Sequence, residues 1–189
     1  MPDESFWSGC PDLSTVAGED CKESRRQIID KGINQWLMYF PESTGPVIIV
    51  DRGQPVPLTS NRLIPFKVDA KGCPDVVVQC GATLFACYMP DAHEIVFIKP
   101  EYIEAYVVAH ELGHAFGIPH SDYFNKGCAS PLMSTPVQSD HVTDLDVQFL
   151  CRTHAELDCP IDEGSSYETM LDTVLCPKFW EPPQKVKCN

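Results

Sequence analysis

The chain has 189 residues, 43% of them hydrophobic, and its 14 basic against 27 acidic side chains give a net charge of -13. That is enough to bury one core but short for two independent domains. Phosphates would be repelled by such a carboxylate excess, so nucleic acid and anionic membrane surfaces are disfavoured, while acidic clusters leave calcium open as an ion to be held.

Residues 1–21 are rich in Pro, Asp, Ser and Gly and carry Cys10 and Cys21, which predicts an irregular arm pinned by disulfides. From Cys21 to Phe40 the apolar residues Ile28, Ile29, Ile33, Trp36, Leu37 and Phe40 recur at helical spacing, and Pro41 stops the pattern. The following segments are short and β-rich: 46–51 (PVIIVD), an extended piece at 62–68 (RLIPFKV), 75–80 (DVVVQC), 83–89 (TLFACYM) and 94–99 (EIVFIK), with a turn at "PDAH" between the last two. Continuous apolar runs such as "VIIV" suit strands covered on both faces, so a mixed sheet with helices packed on it is expected.

The segment EYIEAYVVAHELGHAFG is too long for a strand and predicts a helix buried nearly all round, ending at Gly117. After it, residues 118–142 are dense in Pro, Ser, Gly and Asn and read as loop. TDLDVQFLC (143–151) resumes helical spacing through Leu145, Phe149 and Leu150, with Thr143 or Asp144 able to cap its first turn. The tail from Arg152 holds Cys159, Cys176 and Cys188 and one further helix candidate, SYETMLDTVL. No internal repeat is present.

Ten cysteines are spread along the chain with no C-x-x-C pair, a pattern of disulfides rather than zinc knuckles. An oxidising, extracellular location follows, for a secreted chain whose targeting segment has been removed, since no apolar signal opens the sequence. No run of about 18 apolar residues is available for membrane insertion. If 74–79 (PDVVVQ) is extended, Cys73 and Cys80 stand roughly 20 Å apart, at about 3.3 Å per residue, and cannot pair with each other.

The chemistry concentrates in "HELGHAFGIPH", residues 110–120. Histidines four apart on a helix share a face, so His110 and His114 can converge on one ion. His120 cannot join them by continued winding; the helix must break, and Gly117, free of a Cβ, is the hinge where it can. Three neutral nitrogens leave one position of a zinc ion open, the mark of a catalytic site. Glu111, next to His110, can then act as general base on a zinc-bound water. His93, His141 and His154 lack partners at ligand spacing and read as surface or hydrogen-bonding residues.

The eleven-residue stretch matches the H-E-x-x-H-x-x-G-x-x-H signature of metzincin zinc peptidases, and "PLMST" with Met133 resembles their methionine turn, a hydrophobic floor beneath the metal. Within that clan the chain is most similar to the matrixins, over about residues 22–151. His120 is followed by Ser121, "GATLFACYMP" resembles the substrate-binding edge strand and "VTDLDVQFLC" the final helix.

The resemblance implies an α+β, disulfide-rich fold of the metzincin type: a mixed twisted sheet with an active-site helix, and a small C-terminal lobe with the methionine turn and a final helix. It divides a single catalytic domain, 1–189, into the arm 1–21, an N-terminal lobe 22–117, a C-terminal lobe 118–151 and a Cys-rich extension 152–189. It implies a monomeric metalloendopeptidase holding Zn2+ on His110, His114 and His120 and acting on protein or peptide substrates. Thr83, Leu84, Phe85 and Ala86 would bind the substrate main chain, and Ser134, Thr135 and Pro136 would begin the wall of the specificity pocket.

Several features depart from typical matrixins. The His120–Met133 connection is longer and contains Cys128, no acidic loop for structural zinc or calcium stands between Pro90 and Glu94, and Thr135 occupies the place of the astacins' tyrosine. The competing class is a non-catalytic secreted module in which zinc and disulfides support a binding surface or toxin scaffold; the intact Glu111 argues against it. No G-x-S-x-G occurs to support a serine hydrolase.

Overall fold

A computed structural model describes residues 4–39, 64–73, 84–120, 131–134, 137 and 139–154. The expected strands at 46–51 and 75–80, the tail helix, and Cys80, Cys128, Cys159, Cys176 and Cys188 lie outside the described residues.

The elements run in the order α1 (Val16–Leu37), β1 (Phe66–Val68), β2 (Ala86–Met89), β3 (Glu94–Phe97), α2 (Ala105–Ala115) and α3 (Asp144–Thr153), with short 3-10 turns at Glu4–Trp7 and Pro100–Tyr102. The sheet order is β1-β3-β2. β1 pairs parallel to β3 (Phe66 opposite Ile95), and β2 pairs antiparallel to it (Ala86 opposite Phe97). The result is the α+β class with a mixed sheet that the apolar runs predict. The turn at 90–93 reverses the chain between β2 and β3, and His93 supports it at φ 52°, in the left-handed region.

α1 begins before Cys21. Thr15 caps it by accepting the Gly18 amide at 3.2 Å, while its first turn, with Val16 exposed, carries no apolar periodicity to announce a helix. The opposite face packs on α2, where Gly32 permits the approach: a Cβ there would stand 2.6 Å from Val108 Cγ1 and 2.7 Å from the Ala105 carbonyl. One turn on, Trp36 is fully buried, and its Nε1–H donates to the Ala109 carbonyl at 2.8 Å.

The disulfide Cys10–Cys21 closes the N-terminal arm onto α1, as expected of a pinned segment. Yet the arm also supplies core. Phe6 has no exposed surface and packs its ring against Phe66 and Phe97, centroids 6.1 and 6.0 Å away. Arg25 on α1 donates to the Phe6 and Ser8 carbonyls and lays its guanidinium over the Phe6 ring. Two adjacent aromatics among polar residues, Phe6 and Trp7, have no period, so this role is invisible in sequence. A second bridge, Cys73–Cys87, ties the turn after β1 to β2 across the intervening β3. Cys73 thus finds a distant partner.

Phe6→Ala should lower the free energy of unfolding by about 3–5 kcal/mol, the usual cost of emptying a buried aromatic site. Urea denaturation of the two proteins measures it; a loss under about 1 kcal/mol would show that the arm is peripheral.

Candidate active site

The site is built on the C-terminal turns of α2. The helix ends where Phe116 N–H meets the Leu112 carbonyl, and Gly117 follows at φ +84°. Gly117 N–H then bonds to the His114 carbonyl and Ile118 N–H to the Gly113 carbonyl, both at 2.9 Å, which is the Schellman pattern. This closure satisfies carbonyls that a helix end leaves bare and reverses the chain in a single residue. Ile118 drops into the core with 1% exposure, and His120 swings back over α2.

His110, His114 and His120 meet there, each with one ring nitrogen within 4.8 Å of the others. His120 Nε2 lies 3.1 Å from His110 Nε2 and 3.0 Å from His114 Nε2. The remaining nitrogens of the two helix residues are spoken for. His110 Nδ1 lies 2.8 Å from the Leu132 carbonyl and His114 Nδ1 2.8 Å from the Ile118 carbonyl. A carbonyl only accepts, so both Nδ1 atoms carry the proton and both Nε2 atoms present lone pairs to the centre.

A proton on His120 Nε2 can serve only one of the two close approaches. A cation serves all three. Nitrogens 2.0–2.1 Å from a tetrahedral zinc stand about 3.3 Å apart, close to the spacing found, so the donor set fits that ion. Burial, reinforced by the neighbouring rings, pushes His110 down to about 3 and His114 down to about 4, so both are neutral at physiological pH, as ligands must be. Among the described residues this trio is the one such gathering of three or more His, Cys, Asp or Glu ligand atoms, so calcium has no support there.

Glu111 is buried beside His110, and among the described residues its Oε2 has no hydrogen-bond partner. Burial pushes its carboxyl up to about 8, opposed by the Tyr88 backbone N–H that donates to it from β2. An orphaned carboxyl oxygen in an interior costs about 1–3 kcal/mol. A dication at the histidines would favour its charged form and offset that penalty.

Met133 is fully buried under α2. A Cβ on Gly113 would stand 2.3 Å from the Met133 sulfur and 3.1 Å from the Trp36 ring, so only glycine lets the methionine turn reach the helix. Asp146, on α3, fixes that turn. Its Oδ2 accepts from Leu132 N–H at 2.8 Å, and its Oδ1 from Met133 N–H at 3.0 Å. The same carboxylate takes the Thr143 amide and hydroxyl in a capping box. Burial raises the Asp146 carboxyl above its usual range, with these four donors pulling it back. Since the Leu132 carbonyl orients His110, a residue of α3 reaches the metal centre through one peptide.

Of the residues expected to meet substrate, Leu84 and Phe85 lead directly into β2, which Ala86 begins. Thr83, Thr135 and Pro136 lie outside the described residues, and Ser134 is buried in the methionine turn. The other histidines all make hydrogen bonds: His93 with the Tyr88 hydroxyl, His141 with Asp140, and His154 Nε2 with the Phe116 carbonyl at the end of α2. Sequence reasoning missed Gly113, Tyr88 and Asp146. Only Asp146 left a signal, the Thr143-x-x-Asp146 spacing of a capping box.

A family profile described as "Dual-action HEIGH metallo-peptidase" matches residues 98–134, from the end of the sheet through the methionine turn. The five letters of that description align with His110–His114, Leu112 standing for isoleucine. These findings support a metzincin-like zinc peptidase. Comparison with curated proteins and with solved structures finds no match. The α+β architecture is compatible with a metallopeptidase fold.

Asp146→Ala should cost on the order of 3 kcal/mol, because it strands the Leu132 and Met133 amides. Zinc affinity should fall with it as His110 loses its orientation. Denaturant unfolding and zinc titration check both; wild-type values in each would remove Asp146 from the site. Gly113→Ala should lower stability by about 1–3 kcal/mol through overpacking against Met133, read in the same unfolding experiment.

Proposed function

We propose that the protein is a zinc-dependent endopeptidase of metzincin type, matrixin-like in its site, that hydrolyses extracellular proteins with Glu111 as general base. One observation carries the reading: three Nε2 atoms converge with two of the three rings locked, by their Nδ1 bonds, in the ligand tautomer. The disulfides, the match to a peptidase family and the placement of Glu111 support it.

His110, His114 and His120 would hold the ion. When bound there, zinc supplies a Lewis acid that acidifies water and polarises a carbonyl. Glu111 is placed to take the proton of the attacking water through its unpartnered oxygen, with the Tyr88 amide holding its carboxyl group. As the water oxygen bonds to the peptide carbon and the carbon–nitrogen bond breaks, Glu111 passes that proton to the leaving amine.

β2 orients the substrate. The Ile98 N–H bonds to the Phe85 carbonyl, and in an antiparallel ladder hydrogen-bonded pairs alternate, so Cys87 and Met89 also face β3. The main-chain groups of Leu84, Ala86 and Tyr88 therefore point to the other side, where the Tyr88 amide meets Glu111. An extended peptide pairing along this edge binds through Leu84 and Ala86 without regard to its sequence, and its carbonyl is delivered beside Glu111. The Phe85 carbonyl is taken up by Ile98, so Phe85 serves the edge only by its place in the chain; Thr83 on the edge, and Ser134, Thr135 and Pro136 as the start of the wall that would select side chains, rest on the resemblance to matrixins. Gly117 serves as the hinge and Met133 as the floor.

Metal analysis should find one zinc per chain, and chelation should abolish cleavage of casein or gelatin until zinc is restored. Glu111→Gln should keep the metal and lower kcat by about 10²–10⁴-fold, the range for a missing general acid–base group. A fully active variant refutes the base; a wild-type chain that keeps zinc and cleaves nothing returns the reading of a metal-stabilised binding module.

A further inference from the structure

The end of α2 leaves carbonyls without intrahelical partners, and the Gly117 turn takes only some of them. The Phe116, Ile118 and Gly117 amides satisfy Leu112, Gly113 and His114. The Phe116 carbonyl is met from elsewhere: His154, 38 residues on, approaches it with Nε2 at 2.7 Å. A carbonyl only accepts, so that nitrogen carries the proton. His154 is half-buried at the end of α3, where its own N–H bonds to the Leu150 carbonyl at 2.9 Å.

This bond falls on the peptide unit that begins the turn. In a trans peptide the C=O and N–H point to opposite sides, so the Phe116–Gly117 plane is gripped at both edges, by His154 at the Phe116 oxygen and by the His114 carbonyl at the Gly117 N–H. Gly117 needs such a grip. The missing Cβ that lets it reach φ +84° opens many other angles to it equally, so its hydrogen bonds and not its sterics must set the plane. The residues beyond inherit that direction: Ile118, whose carbonyl aims His114, and His120, whose Nε2 joins the other two. α3 therefore holds both turns of the site. Asp146 in its first turn holds Leu132 and Met133, and His154, roughly 12 Å further along at a rise of about 1.5 Å per residue, holds the exit from α2.

We propose that His154 is a positioning residue for the zinc centre: its Nε2–H, by fixing the Phe116–Gly117 peptide, sets where His120 and the acceptor of His114 stand. The inference rests on the zinc site of the reading above and on nothing about substrate. With the donor present, the return of the chain over α2 has one course. With it removed, the plane can rotate, and the ion must restrain the Gly117 turn itself, at a cost in affinity. The helix before that turn is spared, since the Leu112 carbonyl keeps its partner.

The test uses the full chain and three variants. His154→Leu and His154→Asn remove the donor, the second by being too short while staying polar, and His154→Gln keeps an N–H at the reach of Nε2. Zinc dissociation constants, measured by competition with a chromophoric chelator, should rise about tenfold or more for leucine and asparagine, as when a ligand loses its orienting partner, and stay within about twofold for glutamine. Amide hydrogen exchange at Gly117 in the zinc-free protein should accelerate in the first two variants and not in the third. Should leucine prevent folding, asparagine carries the comparison. Wild-type zinc affinity in the donor-free variants overturns the proposal, whatever their stability. Equal weakening in all three, glutamine included, assigns the effect to packing of the ring and overturns it too, as does unchanged exchange at Gly117. A wild-type chain that binds no zinc brings down the zinc reading itself, and this role with it.

Discussion

Two hydrogen bonds from imidazole to main chain, His110 to the Leu132 carbonyl and His114 to the Ile118 carbonyl, are the constraint on which the site depends. Each spends a ring's only proton on an acceptor that cannot return it, and so leaves the opposite nitrogen bare. A histidine free to exchange tautomers would present the cation with a proton as often as a lone pair. The two acceptors come from different places. Ile118 belongs to the turn that Gly117 makes possible, and Leu132 to the turn that Asp146 holds. Each ring is aimed only when its own turn has closed, so the histidine trio is a consequence of the fold and not of the helix alone.

Such a centre is costly to keep. It buries imidazoles, the Glu111 carboxyl and Asp146 within one small region, and the four donors to Asp146 offset only part of its burial cost. The surrounding packing has to carry the difference. Trp36, Phe116, Val108, Leu112 and Met133 form the apolar shell around α2, with the Trp36 and Phe116 rings edge to face at 5.6 Å. Trp36 contributes twice, since its Nε1–H also satisfies the Ala109 carbonyl inside that shell. Gly32 and Gly113 let α1 and the methionine turn close on opposite sides of α2. The unpaired oxygen of Glu111 is thus set inside an apolar shell that supplies the packing to hold it.

The helices and the histidine trio are readable from sequence because each has a periodic or spaced signature. Ile29, Ile33 and Trp36 mark the buried face of α1, and the spacing of His110, His114, Gly117 and His120 encodes a helix, its end and the return. The resemblance to metzincins added Met133, whose burial beneath Gly113 no local pattern shows. The illegible features are contacts between segments far apart in the chain. Phe6 in the core, the Tyr88 amide on Glu111, Asp146 on the methionine turn and the Cys73–Cys87 bridge all join residues with no shared period. Strand ends also shift: β2 and β3 are shorter than their apolar runs, because the chain turns at Pro90 and bends at Ile98 and Lys99, leaving the Ile98–Phe85 bond as the last rung between them.

The same division between local and distant contacts bears on how such a site can change. Asp146 and the Gly117 turn aim the histidines through main-chain atoms, and Gln35 and Tyr39 hold the Asp140 and Val142 main chain in the same way. A change at Asp146 reaches the histidines: through the Leu132 carbonyl it disturbs His110. The aim of His110 and His114 is therefore held by main-chain carbonyls of two turns, one closed by Gly117 and the other by Asp146.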